Sequence, residues 1–205
     1  MPLFDHLALA AEDLATGAAA VESALGVPLE PGGQHAAMST HNRLLSLGPG
    51  EYLEVIAIDP AAPPPGRPRW FALDAFAGPV RPRAWVLACD DLADALAKAP
   101  RGTGQPMDFR RGDLTWAMAV PGSGLFPFDG LAPALIGWGP GVPHPSTRLP
   151  DRGIRLTALT LHHPAADALA AALLPLTRDP RLRFAQGAPA ITAEFSTPRG
   201  PVVLA

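Results

Sequence analysis

The chain repeats itself. Residues 5–14 read DHLALAAEDL, and residues 83–92, 78 positions on, read RAWVLACDDL. Both place an apolar run before an acidic pair and a leucine, and an alanine-rich stretch follows each. A weaker third copy, TALTLHHPAADAL, fills 157–169. Self-similarity of this kind means that one supersecondary unit is used more than once, which narrows the fold further than composition can.

Each copy reads as a strand running into a helix. Leu3, Leu7 and Leu9 alternate with Phe4, His6 and Ala8, the period of a strand. Asp13 or Glu12 caps a helix predicted over 14–25, which Gly26 closes. Asp90 or Asp91 starts a second over 92–99, and Pro100 stops it. A third covers 165–174. Three short strand-like runs follow each helix: 27–31, 43–48 and 51–58, then 105–110, 114–120 and 132–138, then 182–186, 190–195 and 201–205. The order is βαβββ, three times. The expected organisation is a first module over 1–60, a proline-rich linker over 61–81, a second module over 82–138, a connector over 139–153 and a shorter third module over 154–205.

Composition matters for what it excludes. Hydrophobic residues make up 48% of the 205, enough for a sizeable core. The net charge of −3 forces no basic face, so neither nucleic acid nor a membrane surface is expected as a partner. Cys89 is the only cysteine, which removes internal disulfides and thiolate-rich metal sites. It is expected to be a buried structural thiol. No run approaches the ~18 apolar residues of a membrane span. The start, MPLFDHLALAAEDL, has three acids and no Lys or Arg, unlike a secretory leader. A cytoplasmic protein is expected.

Two residues carry the chemistry. His6 lies mid-strand among apolar neighbours. Glu54 lies in EYLEVIAI on the face of Tyr52, Ile56 and Ile58, where a carboxylate is costly unless compensated. If their strands curve around one concavity, the two converge. An imidazole and a carboxylate suit a divalent ion such as Zn, Mn, Fe or Ni. The alternative is a hydrogen-bonded pair with no metal, His6 then serving as an acid or base.

The run GGQHAAMSTHNRLLSLGPGEYLEVIAIDP (32–60), with RRGDLTWAMAV (110–120), ALIGWG (134–139) and VPHP (142–145), resembles the glyoxalase-like branch of the vicinal oxygen chelate superfamily. The resemblance spans roughly residues 3–165. It implies an α+β fold whose repeated βαβββ modules form a cupped, mostly antiparallel mixed sheet with helices on the outer face. It also implies metal ligands on the first and last strands of paired modules. The first-module positions map onto His6 and Glu54. The second module departs from the pattern, with Ala84 and Gly137 at its ligand positions. A third ligand must come from His35, His41 or His144, or no metal is held tightly.

Other candidates surround this pair. His41 and Asn42, in STHN, are expected at the pocket mouth, holding a substrate oxygen. Arg110 is a candidate grip for a substrate carboxylate or phosphate, whereas Arg111 reads as a solvated turn residue. Trp85, Trp116 and Trp138 read as core or pocket wall, Trp138 being taken as a substrate contact. His144, between two prolines, is expected to close over the pocket. Two functions compete. One is an enzyme, a metal-assisted lyase, isomerase or dioxygenase acting on a small oxygen-rich molecule. The other is a non-catalytic small-molecule binding or drug-sequestering protein without tightly bound metal. The unpaired third module either forms a homodimer with its copy or covers the outer face of the first two.

Overall fold

The computed structural model describes residues 1–205. Five elements form the first unit: β1 (Leu3–Ala10), α1 (Leu14–Leu25), β2 (Glu30–His35), β3 (Thr40–Gly48) and β4 (Glu51–Ile58). The second repeats them as β5 (Arg81–Ala88), α2 (Leu92–Lys98), β6 (Gln105–Arg111), β7 (Leu114–Val120) and β8 (Ala134–Trp138). The third contains β9 (Arg155–His162), α3 (Ala166–Leu173), β10 (Leu182–Ala185), β11 (Ala190–Thr197) and β12 (Gly200–Leu204).

The helix ends follow the local chemistry. Asp13 accepts a hydrogen bond from Thr16 N at 2.7 Å, satisfying an otherwise unpaired donor of the first turn. Gly26 ends α1 in the left-handed region at φ 73°. Asp91 does for α2 what Asp13 does for α1.

Eight strands form one curled sheet in the order β2-β3-β4-β1-β5-β8-β7-β6. In each of the first two units the first and last strands pair in parallel, β1 with β4 and β5 with β8. The units join where β1 meets β5 antiparallel. The two faces of this sheet have separate cores. Leu7, Leu9, Leu53, Val55, Trp85 and Leu87 belong to the convex one, beneath the helices. Ala8, Ala10, Ile56, Val86, Trp116 and Ile136 belong to the concave one.

The third unit keeps the element order but pairs differently. Its sheet runs β10-β9-β11-β12, so β9 is parallel to the strand after the helix and not to the last. Leu156, Leu159, Leu161, Ile191 and Phe195 enter the convex core with Leu7 and Trp85. This small sheet therefore covers the outer face of the first two units. No helix is long and apolar enough to cross a membrane.

Two departures from strand alternation position the site. The β1–β5 register slips between Phe4 and His6, which makes Asp5 the extra residue of a bulge. Phe4 joins Leu7 in the convex core, while Asp5 and His6 both turn to the concave side. Simple alternation had put Phe4 on the face of His6. The second departure is in the proline-rich segment. It carries a short 3₁₀ turn, Trp70–Ala75, in which Phe71 and Ala72 are left-handed at φ 58° and 51°. Left-handed backbone is costly for residues with a Cβ. Tertiary hydrogen bonds hold it, Ala72 N donating to Gly124 O and Arg83 Nε to Phe71 O, both at 2.9 Å. Trp70, Phe71 and Leu73 are thereby packed into the concave core.

Candidate functional site

A cleft opens on the concave face. It is lined by His6, Tyr52 and Glu54 from β1 and β4, by His35 and Asn42 from β2 and β3, and by Trp70 and Phe71. The second unit supplies Arg111, Trp116, Met118, Ile136 and Trp138. The empty volume is about 350 Å³, part of it open to solvent. The first unit contributes most of the ionisable groups and the second most of the apolar wall.

Asp5 lies beneath His6 with no exposure to solvent. A carboxylate can only accept, so its partners must donate. His6 Nδ1 donates to Oδ1 at 2.5 Å, while Trp138 Nε1 and His144 Nε2 donate to Oδ2 at 2.8 and 3.1 Å. Burial works to raise the pKa of Asp5. The hydrogen bonds from His144 and His6 outweigh it and hold the group well below the usual carboxylate range.

With Nδ1 engaged, His6 turns Nε2 to the cleft. The ring stacks on Tyr52 at 4.4 Å between centroids. The nearest acidic oxygen to Nε2 is Glu54 Oε2 at 3.7 Å, beyond hydrogen-bond reach. Glu54 is fixed from the other side, where Asn42 Nδ2 donates to Oε1 at 2.5 Å. The Asn42 carbonyl accepts from Gly33 N at 2.7 Å and from Arg111 Nη1 at 3.2 Å. Burial, then the charges of Asp5 and Glu54, push the Tyr52 hydroxyl well above its ordinary value, so it stays a neutral donor.

His35 is neutral in this setting. Arg111 Nη1 donates to its Nε2 at 3.3 Å, which leaves the proton on Nδ1, facing Thr40 Oγ1 at 3.0 Å. Burial first, and then the neighbouring Arg111 charge, lower its pKa to about 3.

A model of the glyoxalase-like domain matches residues 4–177. The chain belongs to the glyoxalase-like domain family. Among solved structures, this glyoxalase-like chain is similar to a hypothetical protein from Staphylococcus aureus. The identity is 12% and the TM-score 0.61, with 99% of this chain and 84% of that one covered. A methylmalonyl-CoA epimerase from Streptomyces coelicolor is similar at 16% identity and a TM-score of 0.46, over 70% of this chain and 98% of that one. No curated protein matches. The match and the curled sheet together make this a vicinal oxygen chelate fold.

The glyoxalase-like fold implies a divalent ion, and the donors around His6 and Glu54 decide whether one fits. No group of three or more His, Cys, Asp or Glu side chains is arranged to hold a metal. His6 and Glu54 do meet, but each expected third ligand is committed elsewhere. The His35 lone pair accepts from the Arg111 guanidinium, a cation that would oppose a second one. His144 Nε2 faces Asp5, and His41 is absent from the cleft lining. Two donors are fewer than a site normally supplies, so the residues do not fit a tightly held ion.

Several expected contacts fall elsewhere. Strand alternation turns His41 to the face opposite Asn42, and it is absent from the cleft lining. Arg110 is exposed, and its Nε donates to Gly112 O at 3.1 Å. Its neighbour Arg111 takes the inward position, two residues from buried Phe109. Trp138 lines the cleft, and His144 closes beside it through Asp5. Sequence reasoning alone does not mark Tyr52, Trp70 or Arg111 as cleft residues, nor Asp5 as the buried carboxylate beneath His6. The signal for Arg111 is its strand parity with Phe109, the one buried residue of β6.

Proposed function

We propose that this chain binds a small oxygen-rich molecule in the cleft and moves a proton on carbon, with His6 Nε2 as the group that carries it. One observation carries the reading: His6 is fixed through Nδ1 by a buried carboxylate, while Nε2 faces the cleft with no hydrogen-bond partner in the protein. That arrangement sets the tautomer in which Nε2 is the basic nitrogen. Two carboxylates flank the ring, Asp5 at 2.5 Å from Nδ1 and Glu54 at 3.7 Å from Nε2.

The reaction class follows from these groups. His6 Nε2 removes a proton from carbon next to a carbonyl. The C–H pair moves into the carbonyl to give an enolate, and return of the proton to another position or face completes an isomerisation. Loss of a neighbouring leaving group from the enolate completes an elimination instead. Neither route needs an oxidant. The neutral Tyr52 hydroxyl is a donor available to the developing oxyanion.

The test is exchange of carbon-bound protons with D₂O across a panel of 2-oxo acids and hydroxyketones, followed by proton NMR in chelator. The expected result is catalysed exchange that falls on the order of 10²-fold or more in His6→Ala. Saturable binding by wild-type protein with no exchange of any panel member would instead support the non-catalytic binder. Ala84 and Gly137, which replace ligand positions of the second unit, favour that second reading.

A further inference from the structure

We propose that Arg111 is the fixed cation of this cleft and that the molecule it takes is a small carboxylate, held by the free edge of the guanidinium. This deepens the proton-transfer reading by naming the substrate class, and its binding arm stands even if His6 moves no proton.

The guanidinium has no counterion. Arg69, Arg152 and Arg181 each meet an acidic oxygen within 2.7 Å, as most paired arginines here do. Arg111 meets none within 4.0 Å. Its hydrogen bonds run from Nη1 alone, to His35 Nε2 and Asn42 Oδ1, and both acceptors are neutral. A half-buried cation with only neutral partners keeps an unmet electrostatic demand.

The surrounding structure fixes where that demand points. Gly33 lets β2 approach the arginine, since a Cβ there would come within 2.7 Å of Arg111 Cδ. Gly32 does the same for Asn42, whose carbonyl orients Nη1. With Nη1 tied down, Nε and Nη2 have no protein acceptor and form the two-pronged edge that matches a planar carboxylate. A second donor in the same lining is also unmatched. Trp70 is buried, and its indole N–H has no partner.

Charge selects the ligand further. Asp5 lies outside the cleft lining with three donors on its oxygens, whereas Glu54 lies in the cleft, joined to Arg111 through Asn42. One guanidinium opposed by one carboxylate suits a monoanion better than a dianion such as phosphate. The same Asn42 bridge places the anion beside the groups that face Glu54. A small 2-oxo or 2-hydroxy carboxylate can therefore span from the guanidinium to His6.

The experiment compares pyruvate with pyruvamide, equal in shape but not in charge. Chelator-treated protein is titrated with each while the tryptophan indole and arginine side-chain N–H resonances are followed by NMR. Wild type is expected to show saturable shifts with pyruvate and roughly tenfold or more weaker binding of pyruvamide, the scale of one charge-assisted contact. Arg111→Gln should lose the discrimination, and Arg111→Lys should recover part of it. Urea unfolding verifies that each variant is folded. His6→Ala should keep the preference for pyruvate, which separates a failure of proton transfer from a failure of anion binding. The proposal is overturned by equal affinity for the two probes, by pyruvate binding that survives Arg111→Gln unchanged, by binding only after a divalent metal is added, or by no saturable shift in wild type.

Discussion

Asp5 and His6 are neighbours in sequence, yet both side chains point to the same side of β1 and meet at 2.5 Å. A bulge makes this possible, and it gives the site a histidine whose second nitrogen is already spoken for.

Replacing Asp5 by Asn should show how much rests on that bulge. The carboxylate accepts from His6, Trp138 and His144, and the amide cannot satisfy all three. The expected cost is about 1–3 kcal/mol near neutral pH. Because the folded pKa is lowered, the stability that Asp5 contributes is present above the ordinary carboxylate range. It is lost as pH falls below about 4. Urea unfolding of both proteins across pH should therefore show the gap narrowing in acid.

His35 gives a second pH signature with a different window. Its folded pKa of about 3 lies below the unfolded value of 6.5. Between these values the unfolded chain binds a proton that the folded one refuses, so stability falls as pH drops through the window. The slope from this group approaches about 1.4 kcal/mol per pH unit. His35→Gln should flatten the curve over that range, read from the same unfolding series.

Gly124 is one of two anchors of the strained turn over the cleft. Gly124 is left-handed at φ 74°, and a Cβ there would overlap Arg69 O. Gly124 O also accepts from Ala72 N. Gly124→Ala should loosen the turn, making Trp70 more accessible to acrylamide quenching, and should cost about 1–3 kcal/mol. Unchanged quenching would mean that the turn is held from elsewhere.

Ending the chain after Pro150 should strip the convex face. Leu156, Leu159 and Phe195 share a core with Leu7, Leu9 and Trp85, so their removal bares a continuous apolar surface. The truncated protein should aggregate and bind a hydrophobic dye. A soluble, cooperatively folded fragment would refute this account of the third unit.

Cys89 should behave as an inert thiol. It is buried, and burial pushes its pKa up to about 12. Ellman's reagent should modify it at pH 8 only after denaturant is added.

Much of this is legible in the sequence alone. Asp13 and Gly26 bracket α1 because capping is local chemistry, and the repeat revealed the element order. His6 and Glu54 stood out because charge within an apolar strand demands an explanation. Asp5 did not, because a bulge shifts the register by one and alternation carries no mark of it. One residue of register also separates Arg110 from Arg111. Trp70 was hidden because a proline-rich segment reads as a connector until its tertiary partners are known. The pairing of β9 with β10 was hidden for a related reason, since element order does not dictate strand order.

The division between the two units has a consequence for how such a protein can diversify. Asp5, His6 and Glu54 all come from the first copy, while Trp116, Met118, Ile136 and Trp138 come from the second. Substitutions at Met118 or Ile136 can reshape the cavity while the histidine keeps its supports. Met118 and Ile136 are therefore the positions at which to begin a directed-evolution library.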